Sequence, residues 1–216
     1  ASHWQSLLLV CYTSPRLCTE KQRPRRKNKK FSVFGVLYGK VAVSVLKKMI
    51  KNWIEGHFMK LKNAKAISRM RDSGRMVAEC FALLEENIRP GVSIRALDQM
   101  VEKYIADQGA EPLYKGYKGS ASNHPPFPGV ICASVNHEIC HGLPDDRILN
   151  EGDIIGIDIG LKFRGYCGDA CYTFSVGQIA PATERLLEVA KEALAVGIQA
   201  VKPGGYLNDI GRAIHD

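Results

Sequence analysis

Two stretches of this chain repeat each other 113 residues apart, and that repeat limits the fold more than any other feature. Ile67, Met70, Gly74, Val77, Phe81, Leu84 and Ile88 step by three and four, the stripe of a long amphipathic helix. Pro90-Gly91 terminates it before a second helix predicted over about 93–108. Adding 113 to Gly74, Val77, Phe81, Leu84 and Ile88 gives Leu187, Ala190, Leu194, Gly197 and Val201. Pro90-Gly91 returns as Pro203-Gly204, and Ile94, Leu97 and Val101 return as Leu207, Ile210 and Ile214. Helix stripes coincide by chance, but a Pro-Gly break at the same offset with a second helix behind it marks a duplication. Strands are expected over about 129–135, 139–142, 153–161 and 165–176 in the first unit. The same offset puts the strands of the second unit past the last residue here. The expected class is therefore α/β, with two pseudo-symmetric halves of which the second is incomplete.

The strand segment GDIIGIDIGLKFRGYCGDACYTF carries the chemistry. Ile155, Ile157, Ile159 and Leu161 alternate with Gly156, Asp158 and Gly160, so Asp158 falls on a face cleared of bulk. A hairpin tip at Phe163-Arg164 would set Asp158 directly opposite Asp169. Phe-Arg is a poor primed-turn dipeptide, however, and Gly165 suggests a longer tip with a bulge. Like charges opposed on a sheet are destabilising without a cation, so a bound divalent ion explains the pair better than folding does. The other reading is two solvated acids on an exposed strand face.

Charge is not evenly spread. Residues 1–54 hold twelve Lys or Arg against Glu20 alone, a balance of +11, which leaves 18 basic and 21 acidic residues, or −3, in the other 162 although the whole chain is +8. The basicity thus belongs to a leader, taken as residues 1–58 and outside the fold, and not to the domain at 59–216. KQRPRRKNKK (Lys21 to Lys30) reads as a solvated basic arm, with no nucleic-acid-binding pattern around it. The apolar run Phe31 to Leu46 is 16 residues with Lys40 inside, short of the ~18–20 that span a bilayer. An organellar transit peptide and an upstream extension foreign to the fold both fit a basic, acid-poor segment.

The seven cysteines (11, 18, 80, 132, 140, 167, 171) form no CxxC pair and no regular framework, which favours a reduced, intracellular protein. Cys140 beside His141 and the Cys167–Cys171 spacing lack the four ligands of a structural zinc site.

From about Lys60 to Asp216 the chain resembles the type I methionine aminopeptidases, bacterial and organellar, through the ordered set VNHEICHGLPDD, GDIIGIDIG, GDACYTF and VKPG. The resemblance implies the pita-bread fold, a curved antiparallel sheet between two pseudo-symmetric halves. It implies removal of the initiator methionine from nascent polypeptides whose next residue is small, in the cytoplasm and near the ribosome, or in an organelle if the leader is a transit peptide. It also implies two divalent ions, cobalt, manganese, iron or zinc. By position, Asp158 corresponds to the carboxylate that chelates one ion, Asp169 to the one that contacts both, and His141 to the histidine that bonds the substrate near the scissile amide. Cys132 and Phe127 match the pocket for the methionine side chain, and Asn136 matches a monovalent-cation loop.

The departures are as informative. The resemblance calls for a further His and two Glu ligands after the second helix pair, and residues up to Asp216 supply only two of the five; an inactive fragment is expected. His124-Pro125-Pro126 also replaces a Tyr-containing, Gly-rich stretch beside the pocket. Two other readings compete. A non-catalytic protein of the same fold, binding peptide or nucleic acid, would lose ligands, and a proline-peptide hydrolase would share the aspartate pair but not VNHEICHGLPDD.

Overall fold

Asn63 begins the first helix by accepting the Ala66 N–H on its side-chain oxygen at 2.9 Å, the N-cap role for which a short amide side chain is suited. A computed structural model describes residues 61–118 and 125–215. The leader and His124 lie outside the described residues. Helix α1 spans Ala64–Asn87 and ends where Ile88 turns extended ahead of Pro90. Helix α2, Ile94–Asp107, is capped by Ser93, whose hydroxyl accepts from Ala96 N at 3.2 Å.

Four antiparallel strands follow: β1 (Glu111–Pro112), β2 (Ile131–Val135), β3 (Ile154–Phe163) and β4 (Tyr166–Ser175). Strand β3 is central, with β4 along one edge and β2 and the short β1 sharing the other. Ile155, Ile157, Ile159 and Leu161 are all buried, together with Ile131 and Ala133 of β2, Val77, Phe81 and Leu84 of α1 and Ile94, Leu97 and Val101 of α2. At ~25 cal/mol per Å² of apolar surface, this one-sided core is what holds the helix pair on the sheet. The opposite face carries Cys132, Ser134, Gly156, Asp158, Gly160, Asp169, Cys171 and Thr173, matched across the strands. Helices α3 (Pro181–Ala200) and α4 (Leu207–His215) complete the described chain.

The expected elements are present with two corrections. The hairpin tip is Arg164-Gly165, one residue later than expected and without a bulge. Both tip residues have positive φ, 49° and 83°, as a two-residue primed turn requires, and the Arg164 guanidinium stacks 4.8 Å from the Phe163 ring centroid. Asp158 therefore pairs with Cys171, and Asp169 with Gly160. The two acids are diagonal and not opposed, but a shift of two positions in pairing keeps both on one face. The second correction is the strand expected over 139–142, which is irregular. His141 has φ 58°, which interrupts an extended run, and the backbone bond to β2 comes at Gly142, whose carbonyl accepts from Ala133 N at 2.9 Å.

Candidate functional site

The face away from α1 and α2 carries Cys132, Asp158 and Asp169. Cys132, Asp158 and Cys171 form one rung across β2, β3 and β4. The His141 Nδ1 lies 3.9 Å from the Cys132 sulfur. A cavity of about 120 Å³ is lined by His141, Asp158, Cys140, Cys171, Ser134 and Asn136, among others. Phe127 bonds the segment after β1, its N–H donating to the Tyr117 carbonyl at 2.8 Å and its carbonyl accepting from Gly116 N at 2.9 Å.

Tyr114, a residue the sequence reading passed over, joins the two acids. Its hydroxyl lies 2.8 Å from Asp158 Oδ1 and 3.0 Å from Asp169 Oδ2. One oxygen of each carboxylate thus converges on a single point. The ring stands edge-on to Phe127, with centroids 6.4 Å apart and an interplanar angle of 81°. Nothing periodic in the sequence marks Tyr114, because its partners are 44 and 55 residues away. Gly160 makes the arrangement possible, since a Cβ there would lie 2.8 Å from the Tyr114 ring.

Burial pushes the Asp158 carboxyl above the ordinary range; the Tyr114 hydrogen bond opposes that, Asp169 adds to it, and His141 opposes it. Burial and then Asp158 likewise push the Tyr114 phenol up. The Cys132 thiol is pushed up to about 12 and Cys171 to about 11, by burial first and then by the neighbouring carboxylates. Both thiols stay protonated at neutral pH, so neither is an activated nucleophile. The five described cysteines are free.

Hard carboxylate oxygens directed at one point suit a divalent cation of the first transition row, and a donor hydrogen now stands between them. The two acids fit as part of a metal shell. Among the described residues no group of three or more His, Cys, Asp or Glu is placed to hold an ion.

Asn136 has φ 53° and closes the connection between β2 and β3. Its Oδ1 accepts from Ile154 N at 3.0 Å and its Nδ2 donates to Asp153 at 2.8 Å. Asp98, also passed over, is buried on α2 and accepts the N–H groups of Val130 and Ile131 at 2.7 and 3.0 Å, which fixes the start of β2.

Residues 68–216 match the model of metallopeptidase family M24. Methionine aminopeptidase 1 of Bacillus subtilis (strain 168) is 46% identical over 71% of this chain and 59% of its own length. Methionine aminopeptidase 1D, mitochondrial, of Dictyostelium discoideum is 41% identical over 72% of this chain and 37% of its own. The crystal structure of methionine aminopeptidase from Rickettsia prowazekii superposes with a TM-score of 0.68 at 35% identity, covering 73% of this chain and 60% of that one. Prolidase from Pyrococcus furiosus, with a TM-score of 0.60 at 20% identity, shares the fold. The chain spans about 60% of the length of the first of these curated relatives. With its repeated helix pairs, its antiparallel sheet and its acid pair on the open face, the chain belongs to metallopeptidase family M24, in the pita-bread fold.

Proposed function

We propose that this chain carries the first-half site of a methionine aminopeptidase, which removes the initiator methionine from nascent polypeptides in the cytoplasm, near the ribosome. If the leader is a transit peptide, the enzyme works in an organelle instead. The observation that carries this reading is the convergence of Asp158 and Asp169 on one point, within 3.0 Å of the same hydroxyl. Asp158 and Asp169 would hold two divalent ions (cobalt, manganese, iron or zinc), the acids alone not selecting among them. When bound, such ions lower the pKa of a water and polarise the scissile carbonyl.

The other residues bind and orient. His141, on the wall of the cavity that Asp158 also lines, has a ring nitrogen to bond the scissile amide and stands 3.9 Å from the Cys132 sulfur. Phe127 and Cys132 offer an aromatic edge and a protonated sulfur to a methionine side chain, a polarizable match. Asn136 holds the adjoining turn where a monovalent cation would bind.

In the longest native polypeptide that carries this chain, Asp158→Asn should abolish tight metal binding and turnover together. His141→Ala should lower turnover by about 100-fold or more with metal retained, the pattern of a group that acts on the transition state. Normal turnover in Asp158→Asn would overturn the assignment. Residues 1–216 alone, with two of five ligands, should release no methionine from a Met-Ala peptide. A competing reading, a non-catalytic binding protein of the same fold, draws on the lack of a three-ligand group among the described residues; tight, Asp158-dependent metal binding by the longer polypeptide excludes it.

A further inference from the structure

We propose that the Tyr114 hydroxyl holds the place of a divalent cation between Asp158 and Asp169 and must leave it for the ion to bind, so that residue 114 sets the metal affinity of this site. The inference rests on the metal reading above. Three observations carry it.

The first is distance. The hydroxyl is 2.8 and 3.0 Å from one oxygen of each carboxylate, whereas a metal ion bonds such oxygens at roughly 2.0–2.2 Å. An ion bonded to the same two oxygens from the side of the ring would overlap the hydroxyl.

The second is valence. A phenol has one O–H to donate, so it serves one carboxylate fully and leaves the other facing a lone pair. A divalent cation satisfies both and displaces it.

The third is the seat of the ring. Gly160 leaves room where any Cβ would meet the ring at 2.8 Å. On either side of Tyr114 the backbone is anchored, by Leu113 N to the Gly160 carbonyl at 3.0 Å and by Gly116 N to the Phe127 carbonyl at 2.9 Å. The hydroxyl is therefore aimed by the sheet and does not wander in on a loose loop.

The test uses the 216-residue chain, its Tyr114→Phe variant and the double variant Tyr114→Phe with Asp158→Asn. Mn²⁺ binding is read from the paramagnetic resonance of the free ion, and the thermal midpoint is measured with and without Mn²⁺. Tyr114→Phe should bind Mn²⁺ about tenfold more tightly, the equivalent of one lost hydrogen bond to a charged group. Its midpoint should lie below that of the parent without metal and draw level with it at saturation. An unchanged affinity would overturn the inference and leave the metal reading standing, and a weaker one would make the phenol a ligand instead. Binding by the double variant equal to that of Tyr114→Phe would overturn the metal reading and the inference together.

Discussion

Helices α1 and α2 and helices α3 and α4 are built to one pattern but are buried differently. Ile88, after α1, has φ −73° and ψ 113°, and Val201, 113 residues on, has φ −77° and ψ 106°. Gly91 and Gly204 both take positive φ, 90° and 79°, and α2 and α4 begin at Ile94 and Leu207, again 113 apart. Yet Phe81 is 1% exposed while its counterpart Leu194 is 52% exposed, and Ile94 is fully buried while Leu207 is 73% exposed. The first pair covers the sheet. The second packs mainly on itself, with Gly197 against Ile214 and Lys191 reaching the Tyr172 ring at 5.5 Å. Helix limits and the break between helices are set within a turn or two of sequence, whereas burial needs a partner surface.

Matched substitutions at equivalent positions would break or sharpen this contrast. The largest difference is expected between Phe81→Ala and Leu194→Ala. The first removes a buried ring from the core and should cost about 3–5 kcal/mol in denaturant unfolding. The second should cost less than ~1 kcal/mol. Equal losses would mean that α3 is covered in solution.

Asn136→Ala probes a contact that belongs to the first half alone among the described residues. It places alanine in the left-handed region and removes the bonds to Ile154 and Asp153, for an expected loss of about 1–2 kcal/mol. The Asp153 carboxyl is held below its usual range first by the Asn136 amide and next by Asn150 N. Because the folded value lies below the unfolded ~3.9, this contribution is present above about pH 4 and is lost as pH falls through the folded value. A stability–pH curve for Asn136→Ala should be flatter on that acid limb, and a parallel curve would refute the link.

The smallest effect should separate Gly91→Ala from Gly204→Ala. Neither added Cβ meets an atom within 4 Å, so the cost is that of the left-handed backbone, about 1–2 kcal/mol. It should appear in global unfolding for Gly91, whose turn connects two buried helices. For Gly204 it should appear only as lost helicity of α4 by circular dichroism.

How far the fold could be read from the sequence varies with the reach of each signal. The stripe from Ile67 to Ile88, the Pro90-Gly91 break and the alternation from Ile155 to Leu161 are local, and each was legible. So was the sharing of one face by Asp158 and Asp169, because a displaced tip moved the pairing by two residues and left the facing unchanged. The register itself was not legible. It turned on Arg164 accepting a left-handed conformation, which dipeptide preferences oppose.

By itself, then, the sequence determined two helix pairs, a strand hairpin and an acid pair on its open face, since side-chain period and turn chemistry act over a few neighbouring residues. Tertiary structure alone decided that the Tyr114 hydroxyl reaches both acids. That outcome depends on residues 44 and 55 positions apart in the chain being brought together, and no local pattern encodes it.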